Sequence, residues 1–204
     1  MSVNLSPRQL AEPDLIATVA AALADSGLAP GSLCLEVTEG AVIHDLKETL
    51  PTLRALATIG IRLALDDFGT GYSSLAYLQQ MPVHVLKVDR SFVAALGGEA
   101  GSTAIVRAVV HLAHQLGLVV TAEGIETPEQ LEVLRSLACE TGQGFLRARP
   151  AAADEISRVL VRERLAQRVP LQRQGRRGST VGSHSMGLTA CFAEADEVLA
   201  HDHE

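Results

Sequence analysis

Apolar positions recur in two alternating rhythms up to about residue 165. Short β-branched or Leu-rich runs read as strands: Val3–Leu5, Leu33–Thr38, Arg62–Phe68, His84–Val88, Val119–Glu123 and Gly144–Leu146. Between them, apolar residues spaced three and four apart predict helices over Pro13–Asp25, Asp45–Thr58, Ser74–Gln80, Ser102–Leu116 and Pro128–Ala138, with a last one over Ala152–Arg164. Pro13 and Pro128 suit first helical turns, and Thr127 with Gln130 has the spacing of a capping box. Gly27, Gly60 and Gly117 sit where helices stop. Pro51 is the misfit, because inside a helix it removes a backbone donor. Strands that alternate with helices in this way pair in parallel through βαβ crossovers.

The pattern changes after residue 165. Residues 172–185 are basic and rich in Gly and Ser, the composition of a flexible linker, and a short helix is expected somewhere in 186–200 before an acidic end. The expected organisation is one domain over residues 1–165 and a linker with tail over 166–204.

Charge narrows the function. The formal net charge is -7, and all of it falls within the first 160 residues. Such a body is a poor binder of nucleic-acid polymers, which need a cationic footprint, although it can take a phosphate ligand through metal ions. The three cysteines, Cys34, Cys139 and Cys191, are far apart and form no CxxC pair, so a reducing cytoplasm is expected. No apolar run of membrane-spanning length and no leader pattern occurs in this sequence.

The chemistry collects at strand ends. Asn4, Glu36, Glu39, Asp66, Asp67, Lys87, Asp89, Glu123 and Gln143 interrupt or follow the strand runs. In parallel α/β architectures the C-terminal strand ends form the face that carries the site. Capping acids account for one or two of these residues, but not for a set spread over five consecutive strands. Asn4, Glu36, Asp66 and Asp67 offer oxygen donors only, which suit Mg²⁺ or Mn²⁺ more than Zn²⁺. Crowded carboxylates need a divalent ion or a shared proton. Lys87 is able to hold a water or a phosphate there, and Glu123 is a candidate base or further ligand. After Asp66-Asp67-Phe68, Gly69 and Gly71 permit a tight loop. His111 and His114, three apart on a helix, read as ordinary surface or core residues.

Six segments occur in order: Ser2-Val-Asn-Leu-Ser-Pro-Arg-Gln-Leu, Leu35-Glu-Val-Thr-Glu, Asp66-Asp-Phe-Gly-Thr-Gly-Tyr-Ser-Ser-Leu, Leu86-Lys-Val-Asp, Ala122-Glu-Gly-Ile-Glu-Thr and Gln143-Gly-Phe. Together they resemble the EAL domain, the bacterial cyclic-di-GMP phosphodiesterase module, over roughly residues 1–163. The resemblance implies a TIM-like (β/α) barrel and hydrolysis of cyclic-di-GMP to linear pGpG with two Mg²⁺ or Mn²⁺ ions. It implies Asn4, Glu36 and Asp66 as ligands of one ion, Asp67 as serving the second, and Lys87 as positioning the attacking water. Glu123 would be the general base or a ligand beside it. Glu39 would anchor the loop after Phe68, Gln143 and Asp89 would support the site, and Gln9 and Phe68 would contact the dinucleotide.

The Glu-Ala-Leu motif that names the family does not occur here. The expectation is therefore a barrel incomplete at its N-terminal side, with about six of eight strands. The resemblance makes the Glu of that motif a metal ligand, so this copy is expected to be impaired, and its open barrel leaves room for a homodimer or for completion by another EAL or diguanylate-cyclase–EAL chain. Two further readings stay open: a degenerate module that binds cyclic-di-GMP or a protein partner without cleavage, and a fragment without activity.

Overall fold

A computed structural model describes residues 1–43, 46–69, 75–97, 100–153, 155–158 and 190–191 of the chain. Within them, six strands pair in parallel in strict chain order: β1 (Ser2–Asn4), β2 (Cys34–Thr38), β3 (Arg62–Phe68), β4 (Val85–Val88), β5 (Val119–Ala122) and β6 (Thr141–Gly142). Consecutive order with no reversal is the order of a (β/α) barrel, not of a doubly wound sheet. The order has two ends, so the described sheet is open. A short antiparallel strand, β7 (Ala190–Cys191), lies on β6, with Thr141 opposite Cys191. The rest of the expected linker and C-terminal helix lies outside the described residues.

The expected helices sit between the strands: α2 (Leu15–Ser26), α4 (Leu46–Thr58), α5 (Leu75–Leu78), α7 (Ala100–Gln115) and α8 (Pro128–Ser136). Three short ones went unread in the apolar pattern, namely α1 (Pro7–Leu10), α3 (Glu39–Ile43) and α6 (Arg90–Ala94). Each is one turn or little more, too short to show a period of 3.6. Their caps are nonetheless explicit. Ser6 and Gln9 form a capping box on α1, Asp89 caps α6, and Thr127 and Gln130 form the expected box on α8. Gly27 ends α2 in the left-handed region with φ +66°. Pro13 stands before α2 rather than in its first turn, and Pro51 lies inside α4 as the sequence implied.

One strand assignment is corrected. The last parallel strand is Thr141–Gly142, not Gly144–Leu146, and residues 145–147 form a turn. Leu146 N instead donates to Ile125 O in the loop after β5, and Leu146 packs against the core while Phe145 is exposed. Residues 1–147 with 186–204 form one unit, and residues 148–185 another. In the second unit, Glu155 N and Ile156 N donate to Ala152 O, a first helical turn within the expected Ala152–Arg164 segment.

The core of the first unit lies between sheet and helices. Leu63, Leu65, Leu86 and Val120 from the strands meet Leu53, Leu56, Val106 and Leu134 from α4, α7 and α8. Residues buried on both sides explain why β4 reads as a near-continuous apolar run.

His84 joins two strands by an unusual bond: Leu63 N donates to its ring Nδ1 at 3.2 Å, while its backbone N donates to Leu63 O at 2.8 Å. The bond requires an unprotonated Nδ1. Burial, and then the Arg62 guanidinium, hold His84 below its ordinary value of 6.5. The unfolded chain therefore takes up the proton first as pH falls, and the stability contributed by neutral His84 is present above 6.5 and lost below it. Urea unfolding between about pH 5.5 and 7.5 is expected to show midpoints that decline below 6.5, with a shallower decline in His84→Gln. Equal slopes in the two proteins would place the pH dependence elsewhere.

Candidate metal centre

Four consecutive parallel strands, β2 to β5, bring one cation and three carboxylates together. Lys87 on β4 is only 4% exposed. Its Nζ donates to Glu36 Oε2 at 2.5 Å and lies 3.0 Å from Asp66 Oδ1, and it also pairs with Glu123 Oε1. Glu36 comes from the middle of β2, Asp66 from near the end of β3, and Glu123 from the residue after β5. Parallel pairing makes the cluster possible, since Glu36 registers with Ala64 and Lys87 with Thr121.

The strand itself deforms at Asp66. Leu65 pairs with Leu86 and Phe68 with Val88, so three steps along β3 match two along β4. This is a bulge, and Asp67 carries it with φ +56°, a left-handed conformation that Asp tolerates better than most residues. The bulge releases Asp66 and Asp67 from strict alternation, and Asp67 N donates to Asp66 Oδ1 at 3.0 Å. Phe68 returns to the core at 5% exposure.

Electrostatics follow from this crowding. Burial works against the Lys87 charge, but hydrogen bonds to Glu123 and Glu36 outweigh it and hold the ammonium well above its ordinary value. Burial raises Glu123, and the hydrogen bond from Lys87 offsets only part of that. Asp67 is raised as well, by burial first and then by the charges of Asp66 and Asp89.

The remaining predicted residues surround this cluster. Gln143, just after β6, donates from Nε2 to Glu123 Oε1 at 2.8 Å. Glu39 opens α3, is 3% exposed, and accepts from Gly69 N at 3.2 Å through Oε2. That contact ties the start of α3 to the end of β3, while residues 70–74 lie outside the described residues. Asn4 registers beside Glu36 and is exposed. Asp89 lies past the end of β4, so it does not share a strand face with Lys87; its carboxylate accepts from Ser91 N and Oγ as the cap of α6. Gln9 Oε1 accepts from Ser6 N and Ser6 Oγ within the α1 capping box.

Two contributors went unnoticed in the sequence. Gly144 passes so close to the loop after β5 that a methyl group on it would lie 2.1 Å from Ile125 O and 2.2 Å from Ile125 N. Its place beside Gln143 was the available signal. Glu140 accepts from Val120 N at 2.9 Å and pairs with His114 Nε2 at 2.9 Å, fastening α7 to the sheet below the site. No spacing in the sequence announces that pair.

The donor set fits a hard divalent cation. One oxygen each from Glu36, Asp66 and Glu123 lies within 4.8 Å of the others. Carboxylate oxygens are the donor type that Mg²⁺ or Mn²⁺ would take, and these three residues would hold such an ion between them.

The EAL domain matches residues 1–150. The cyclic di-GMP phosphodiesterase NbdA of Pseudomonas aeruginosa is 44% identical over 162 residues, which are 78% of this chain and 21% of NbdA. The chain spans about a fifth of the length of the curated relatives it matches. A solved structure of the PaMucR phosphodiesterase with c-di-GMP superposes with a TM-score of 0.73 at 43% identity, over 76% of this chain and 63% of that one. The manganese and cy-diGMP complex of Klebsiella pneumoniae BlrP1 gives 0.70 at 38% identity, over 74% of this chain and 38% of that one.

The close approach at Gly144 yields a direct test. Gly144→Ala must push backbone against backbone, and a loss of about 1–3 kcal/mol or more is expected in urea unfolding. Gly40→Ala, where a methyl group meets nothing within 4 Å, is expected to be neutral or slightly stabilising. A neutral Gly144→Ala would mean that the loop after β5 is free to move.

Proposed function

The chain belongs to the EAL domain family, and from that premise we propose that it acts on cyclic-di-GMP as a metal-dependent phosphodiesterase, releasing linear pGpG. The observation that carries this reading is the convergence of Glu36, Asp66 and Glu123 on one point at the strand ends. The phosphodiesterases NbdA and PaMucR among its relatives and the c-di-GMP bound in two of the related structures support it.

In this reading Asn4, Glu36 and Asp66 hold one divalent ion, Mg²⁺ or Mn²⁺, and Asp67 helps to hold a second. When bound, such ions lower the pKa of water and stabilise the leaving oxygen of a phosphodiester. The chain's own residues do the rest. Glu123, raised by burial, is suited to take a proton from the attacking water. Gln143 fixes the Glu123 oxygen it bonds, so the base keeps its aim. Lys87 orients the three carboxylates and, when the dinucleotide is bound, offers a positive charge to its phosphate. Glu39 holds Gly69 and thereby the start of the loop that follows the two aspartates.

Among the described residues no helix is long and apolar enough to cross a membrane. Cys34 and Cys139 are free thiols, and burial pushes Cys139 up to about 12, so it is inert. Both facts are compatible with a cytoplasmic enzyme. The open sheet is compatible with a site completed by a second copy or by another EAL chain.

The test is conversion of cyclic-di-GMP to pGpG by the purified chain with Mn²⁺. Turnover is expected, with loss on chelation and recovery on adding Mn²⁺. Asp66→Ala should abolish it, and Gln143→Ala should lower kcat about 10–100-fold, as loss of a ligand-orienting partner does. Binding of cyclic-di-GMP by folded protein without any pGpG would replace the enzyme reading with a binding module.

A further inference from the structure

The three carboxylates suited to a divalent ion are the same three that Lys87 engages. Glu36 Oε2, Asp66 Oδ1 and Glu123 Oε1 all meet the Lys87 ammonium, and oxygens of the same three residues cluster within 4.8 Å of one another. An ion held by these carboxylates would take up the negative charge that now compensates the ammonium. Both are cations drawn by one set of negative charges, so their occupancies oppose each other.

We infer that Lys87 is a tethered competitor of the site's metal ion: ion entry requires the ammonium to withdraw from Glu36, Asp66 and Glu123, and Lys87 thereby sets the metal affinity. This rests on the phosphodiesterase reading for the presence of an ion, but it goes beyond it. A lysine that orients water or phosphate beside an ion keeps its place when the ion enters, and only its charge weakens ion binding. A competitor must leave its place, so its ammonium becomes accessible as the ion binds.

Two features support a built arrangement. The lysine is almost wholly buried, so its ammonium depends on these carboxylates for its hydrogen bonds. Moreover, the carboxylates come from β2, β3 and the residue after β5, so nothing short of the folded sheet assembles the competition. The physical consequence is a site whose crowded acids stay compensated when ion concentration is low and exchange one cation for another when it rises.

The experiment is Mn²⁺ titration of wild type, Lys87→Met and Lys87→Arg by calorimetry, with no substrate present. Lys87→Met is expected to bind Mn²⁺ about tenfold or more tightly than wild type, since a unit charge a few ångströms away is removed. Lys87→Arg, which keeps the charge, should not gain affinity. A second measurement needs no variant: acylation of Lys87 in the wild-type chain, mapped by mass spectrometry, should rise when Mg²⁺ is added. Equal or weaker Mn²⁺ binding by a folded Lys87→Met, beside clear binding by wild type, overturns the competition and leaves the phosphodiesterase reading intact. Acylation that Mg²⁺ leaves unchanged overturns it likewise. Absence of Mn²⁺ binding in all three proteins overturns both.

Discussion

The buried ammonium of Lys87 is the interaction around which the site is ordered. Three carboxylates within reach of one another repel, and each also loses hydration as the sheet closes over it. Lys87 answers both costs at once by placing one charge against all three. Because the three acids arrive from β2, β3 and the end of β5, the contact is also a constraint on register. A slip of one residue in β4 would turn Lys87 to the other face and leave Glu36, Asp66 and Glu123 without their counter-charge. The pairing of β2 through β5 and the electrostatics of the site are thus one problem with one solution.

Around that centre, backbone geometry does what side-chain type alone does not. The bulge at Asp67 sets two adjacent acids at a strand end without forcing them to opposite faces. Glu39 reaches from the start of α3 to Gly69, and Gly144 lets β6 lie against the loop after β5, so that Gln143 meets Glu123. Each contact joins elements about twenty to thirty residues apart in sequence. The open sheet carries this apparatus on six parallel strands, with β7 along the β6 edge. An unpaired strand edge is a template for association, and the short β1 keeps its own edge small.

Much of this was legible beforehand because the signals are local. Parallel strands buried on both faces leave apolar runs, and β3 was read to its exact bounds from Arg62 to Phe68. The Thr127–Gln130 box and the Gly27 stop are decided within one turn of chain. The strand at Thr141–Gly142 was misplaced for the complementary reason. Its two residues are too few to alternate, while the apolar Phe145 and Leu146 just beyond imitate a strand and instead belong to a turn. The short helices α1, α3 and α6 escaped because a single turn has no period to detect.

For the candidate site, the sequence by itself determined the chemical inventory: oxygen donors, one lysine, a glutamine, and their places after successive apolar runs. It also carried the ordered motifs by which the family is known. Only the tertiary structure decided which of these residues meet. Glu36, Asp66, Lys87 and Glu123 converge, whereas Asp89 and Gln9 spend their side chains on helix caps and Phe68 turns into the core. The reason is physical. Residue type and spacing fix what a side chain is able to bond, but the direction in which it points depends on strand register, on a one-residue bulge and on the cap nearest to it, and those are set by pairing with distant segments.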